Sequence, residues 1–150
     1  MYANFSSPQV SDSFLPLTYN TNTLEINFCQ ESGIIKLFWK SKLTRQDLEE
    51  GYMMVFEYIK AYKPKKYLLD LHLRDRIPEE NRVWFFETII PKMLQLTETT
   101  TFLAAIVPVD YYASLTDEFN SPLLPLEDQL LVIDHFLLPE MGIDWLKSVG

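Results

Sequence analysis

The 150 residues read as one α/β domain: a mixed, mostly parallel sheet of about five strands with an N-terminal antiparallel hairpin and about four helices. Short apolar runs bounded by breakers, Tyr67-Leu68-Leu69-Asp70-Leu71 and Thr101 to Val107, suit strands buried on both faces. Longer segments with helical spacing of apolar residues separate them. The length suits a single core that buries roughly 70% of the surface the unfolded chain exposes, and 47% hydrophobic and 14% aromatic residues supply that core.

Residues 1–22 are polar with scattered Phe5, Phe14, Leu15 and Leu17, which predicts a tail lying partly on a domain that spans 23–150. Leu24, Ile26 and Phe28 then alternate with Glu25 and Asn27, the period of a half-buried strand. After the turn Gln30-Glu31-Ser32-Gly33, Ile34 to Trp39 forms the second strand of a hairpin. Thr44 and Asp47 have the spacing of a capping box, and Leu48, Tyr52, Val55, Ile59 and Tyr62 follow at helical intervals up to Pro64. Lys65 to Leu71 is the third strand, reached by a crossover that is right-handed if the strands are parallel.

Ile77-Pro78-Glu79-Glu80 starts the second helix, with proline at the first helical position and carboxylates in the first turn. Pro91 falls inside its pattern, so the helix should kink or restart near Ile90. Thr101 to Val107 is the fourth strand, where Ala104 and Ala105 leave room for a close helix. Asp110 to Leu115 suits a short helix and Thr116 to Pro125 a loop. Leu130 to Phe136 is the fifth strand, and Pro139 to Val149 the closing helix.

A net charge of -8 argues against nucleic acid or an anionic membrane surface as partner, since both require a basic footprint. Lys63, Lys65 and Lys66 cluster, but at the start of a strand they read as a solvated edge. Cys29 is the sole cysteine, which leaves no internal disulfide or cysteine-based zinc site and fits a reducing compartment. No run reaches the about 18 apolar residues of a membrane span, and no secretory leader is evident, so the expected location is cytoplasmic.

The polar residues with most chemistry in them follow the third strand. Asp70, His72, Arg74, Asp75 and Arg76 lie just before Glu79 and Glu80, at the carboxyl end of a strand, where open α/β sheets place binding sites. Their simplest reading is a solvated loop in which Arg74 and Arg76 neutralise Asp75, Glu79 and Glu80; the functional reading is a site for a partner or small ligand. Asp110, Tyr111 and Tyr112 follow the fourth strand at the same edge, where tyrosine offers apolar area with a polar handle. His135 reads as a core or edge histidine, and Trp39, Trp84 and Trp145 as packing residues. No glycine-rich phosphate loop, metal-ligand spacing or nucleophile motif is present, so neither a cofactor nor catalysis is expected.

The order of elements resembles the STAS-like fold of bacterial anti-sigma factor antagonists and of the cytoplasmic domains of sulfate transporters. In detail, Tyr67-Leu68-Leu69-Asp70, Trp84, Pro91, Ala104-Ala105 and Ile143-Asp144-Trp145-Leu146 look like small stand-alone STAS-like proteins of Bacteroidetes-type bacteria, over roughly Thr23 to Val149. The resemblance implies a non-enzymatic module acting through protein contact. It departs at one point: where the antagonists carry a phosphorylatable serine this chain has Pro78-Glu79-Glu80, with no hydroxyl between Leu71 and Val83. A protein partner is therefore expected at the edge bearing Asp70 to Glu80 and Asp110 to Tyr112. A homodimer is a further expectation, from the aromatic surplus and the hairpin's open edge. The alternative is a carrier of a small apolar ligand or lipid, since lipid-carrier domains of the CRAL-TRIO type resemble this fold.

Overall fold

The computed structural model describes residues 15–40, 42–74, 77–112, 123–126 and 129–150. Its strands are β1 (Thr18–Asn20), β2 (Leu24–Cys29), β3 (Ile34–Trp39), β4 (Lys66–Asp70), β5 (Thr101–Ile106), β6 (Leu123–Leu126) and β7 (Gln129–Phe136). They form a seven-stranded sheet in the order β1-β2-β3-β4-β5-β7-β6. The centre, β3 to β4 to β5 to β7, is parallel, while β1, β2 and β6 join antiparallel at the margins. The helices are α1 (Arg45–Tyr62), α2 (Glu79–Trp84), α3 (Ile90–Thr97) and α4 (Pro139–Ser148), with a π-helical turn, Phe85–Ile89, between α2 and α3.

Alternation along the strands assigns the two faces of the sheet. Ile35, Leu37, Tyr67, Leu69, Leu103, Leu131 and Ile133 belong to the larger core, which α1 and α3 cover. Ile34, Leu68, Ala104 and Ile106 point the other way and pack with Leu146 of α4. Gly142 lets α4 approach closely: a Cβ there would lie 2.8 Å from Leu68 Cδ1 and 3.3 Å from the Ala104 Cβ. Ala104 thus provides the room expected for a helix, and Ala105 faces the opposite core.

Local chemistry fixes the helix ends. At the start of α1 the Asp47 amide donates to Thr44 Oγ1 (3.0 Å) and the Thr44 amide to Asp47 Oδ2 (2.9 Å), a complete capping box. Lys63 ends the helix at φ 50°, a left-handed cap ahead of Pro64. Pro91 has no N–H to offer the Glu87 carbonyl, and its ring crowds that carbonyl. The chain widens into the π turn, in which the Ile90 amide donates to the Phe85 carbonyl, and α3 restarts at Ile90 as expected. Pro78 is the N-cap of α2, one residue ahead of its expected place in the first turn.

The margins differ from expectation. Thr18–Asn20, within the expected tail, pair with Asn27 to Glu25 as β1 and cover the β2 edge; the Tyr62 hydroxyl also donates to the Leu15 carbonyl. Leu123–Leu126 form β6, although the loop was expected to run through Pro125. Proline suits this place because β6 is an edge strand, with only β7 to pair with. The expected helix over Asp110 to Leu115 is described only in part: a helical turn begins at 109–112, where the Tyr112 amide donates to the Pro108 carbonyl at 2.9 Å. Asp75 and Arg76 lie outside the described residues.

Candidate functional site

The carboxyl ends of β3, β4, β5 and β7 meet at one edge of the sheet, and the chain after β4 returns over that edge through α2 and the π turn. Beneath this cover lies a cavity of about 70 Å3. Leu69, Ala105 and Ile133 form part of its sheet floor, and Tyr52 of α1 stands at the centre of its aromatic wall. The Tyr52 ring lies 5.1 Å from Trp39, 6.0 Å from Trp84 and 5.7 Å from Phe85, centroid to centroid. Arg45 secures the outer side: its guanidinium stacks 4.7 Å above Trp84 and donates to Asn81 Oδ1 at 2.9 Å, tying α1 to α2.

The residues that follow β4 diverge. Asp70 ends the strand on the α4 face, beside a groove lined by Pro139, Glu140, Ile143 and Asp144. Its carboxylate accepts from the His72 amide at 3.1 Å and lies 2.6 Å from His72 Nδ1. The His72 ring stacks on Phe38, centroids 5.6 Å apart. The pair meets through a turn rather than through strand alternation, because the strand stops at Asp70. This arrangement holds the imidazole as a clasp on the turn.

Arg74 turns to the opposite side. It is only 8% exposed and lines the cavity, which corrects the picture of a solvated arginine neutralising Glu79 and Glu80. The ion pairs among the described residues are Lys60 with Glu57 and His72 with Asp70, so no carboxylate there meets the Arg74 guanidinium. Burial lowers its pKa, and only an ionised Tyr52 would oppose that shift. Burial in turn drives the Tyr52 phenol upward, so it is neutral at physiological pH. The buried Trp39 Nε1 also lacks a hydrogen bond among the described residues.

Glu79 and Glu80 are exposed in the first turn of α2, and Asp110 and Tyr112 are exposed beyond β5. Tyr111 turns inward to the cavity, where Arg82 stacks 5.8 Å from its ring. His135 also faces the cavity, and its pKa is lowered mainly by burial, against the pull of neighbouring Asp134. The residues grouped in sequence thus separate into the Asp70–His72 clasp, the buried Arg74 with the half-buried Tyr111, and an exposed rim of Glu79, Glu80, Asp110 and Tyr112. Sequence reasoning missed the cavity roles of Trp39, Tyr52, Phe85 and His135. Strand alternation signals which face His135 shares with Ile133, but nothing in a single chain distinguishes a cavity wall from closed core. Among the described residues no cluster of histidine, cysteine and carboxylate side chains has the geometry to hold a metal, and no helix is long and apolar enough to cross a membrane. No protein-family model, curated protein or solved structure matches the chain.

Proposed function

We propose that the chain is a non-enzymatic, STAS-like regulatory module that docks a protein partner with a basic face at the carboxyl edge of its parallel strands. The observation that carries this reading is the rim itself, where the carboxylates of Glu79, Glu80 and Asp110 occur with solvent-facing apolar side chains. Leu73 is 45% exposed, Val83 45% and Val109 69%. Exposed apolar area interspersed with one sign of charge suits a contact whose centre is desolvated and whose border steers a complementary surface. The -8 net charge acts in the same direction over longer range. Because α2 opens with Pro78-Glu79-Glu80, negative charge at this rim is permanent and needs no phosphorylation.

The carrier reading receives less support, because the aromatic-walled cavity of about 70 Å3 is far below the roughly 300 Å3 at which drug-sized ligand pockets begin, and the groove of about 430 Å3 beside α4 is lined largely by charged and polar side chains such as Glu25, Lys36, Asp70 and Glu140. The test is capture of the partner from the native cell on the immobilised full chain, followed by binding measurements across ionic strength. Binding should weaken as salt rises, and Glu79→Lys should reduce low-salt affinity about three- to tenfold, mainly through slower association. Salt-independent binding unaffected by Glu79→Lys would move the contact elsewhere. Loss of binding on phosphorylation of a nearby hydroxyl such as Thr88 would contradict an unswitched module.

A further inference from the structure

The two faces of the sheet are covered unequally. Among the described residues α1 and α3 serve the larger core, and α4 alone packs on the opposite face, resting chiefly on β5, β4 and β7. This leaves β2 and the Phe38 end of β3 with no helix above them on the α4 side among those residues. Antiparallel margins can face water on one side, but β3 belongs to the parallel centre, and its Phe38 stands half-buried beside α4. Between this strip and the flank of α4 runs the groove of about 430 Å3.

Strand register orders what the groove presents. Glu25, Phe38 and Asp70 are neighbours across β2, β3 and β4, and Asn27, Lys36 and Leu68 form the next row. Phe38 and Leu68 make an apolar floor that meets Ile143 on the helical wall. Beside Ile143 stand Glu140 and Asp144, both exposed and four residues apart on α4. Four carboxylates in the lining thus face one ammonium, that of Lys36. Neither Glu140 nor Asp144 is in an ion pair among the described residues, and like charges at this helical spacing repel each other. The geometry points to a second docking surface, on which a basic amphipathic helix of a partner protein lies alongside α4 above β2 and β3.

Width and period select a helix as the occupant. Two strand spacings of about 4.8 Å give about 10 Å, the interaxial distance at which one helix packs beside another. Arginine or lysine side chains four residues apart on the incoming helix recur every ~6 Å, as Glu140 and Asp144 do on α4. Apolar side chains of the same face then meet Phe38 and Ile143. A wholly apolar helix would desolvate the carboxylates without pairing them, and an acidic one would be repelled. The surface shares no residue with the rim of Glu79, Glu80 and Asp110, so it stands independently of the contact proposed there.

The test uses the full chain labelled for amide NMR and a synthetic helical peptide of about 18 residues, with arginines at i and i+4 beside a leucine stripe. Amide shifts should move in a saturable manner at 25–27, 36–38 and 140–144. Glu140→Gln with Asp144→Asn removes two exposed charges and should weaken binding about three- to tenfold. Glu79→Gln with Glu80→Gln changes the net charge equally and should leave the affinity unchanged. A central proline in the peptide breaks its helix and should weaken binding by at least about tenfold. No shift at these positions up to about 1 mM peptide would overturn the inference. So would equal weakening by the two charge-removing pairs, which would mean general attraction to an acidic chain, or undiminished binding of the proline peptide.

Discussion

Gly51 shows how one residue sets the packing around the site. It lies within α1, where glycine is about 1 kcal/mol less favourable than alanine. A Cβ there would stand 2.3 Å from Trp39 Cη2 and 2.8 Å from Cζ3, closer than the indole can tolerate without moving. Trp39 has little freedom to move, since it is fully buried against Tyr52 and has Leu24 close by. Overpacking of this kind costs about 1–3 kcal/mol and should outweigh the gain in helix propensity. Gly51→Ala is therefore expected to lower stability by about 0.5–2 kcal/mol in urea unfolding; unchanged or higher stability would show that the indole can swing aside. Arg74 teaches the complementary lesson about legibility. Its position after a strand was readable, but a loop has no period, so its inward direction was not.

At the scale of elements, regular patterns were the legible part. The capping box, the strands with apolar alternation and the restart imposed by Pro91 all follow from local steric and hydrogen-bond rules that a single chain displays. Strands β1 and β6 were harder to read, because three or four residues give too short a pattern and edge pairing depends on a distant partner. Pro125 reads as a strand breaker in sequence, and β6 accommodates it only as an edge strand. Leu69 tests the central assignment directly: it is buried in β4, between parallel neighbours β3 and β5, and also floors the cavity. Leu69→Ala removes core volume beside an existing void, so little collapse can compensate. The expected loss is about 2–5 kcal/mol. Melting within a degree of the parent would remove β4 from the centre of the sheet.

For the whole molecule, topology gathers distant chain segments at one edge. The crossovers after β3, β4 and β5 place Trp39, Arg74 and Tyr111 around one cavity, with Glu79, Glu80 and Asp110 outside it. Such edges are where open α/β sheets have groups to spare for binding, since their helices cover only the two faces. The β2 edge that motivated a homodimer is covered by β1, which takes its place as the outer strand on that side of the sheet. Partner contact at that rim is tested most directly by hydrogen–deuterium exchange of the full chain with and without its captured partner. Slowed exchange is predicted at 71–74, 79–85 and 109–112, with β1, β2 and α4 unchanged. Protection confined to β1 and β2, or to α4, would contradict it.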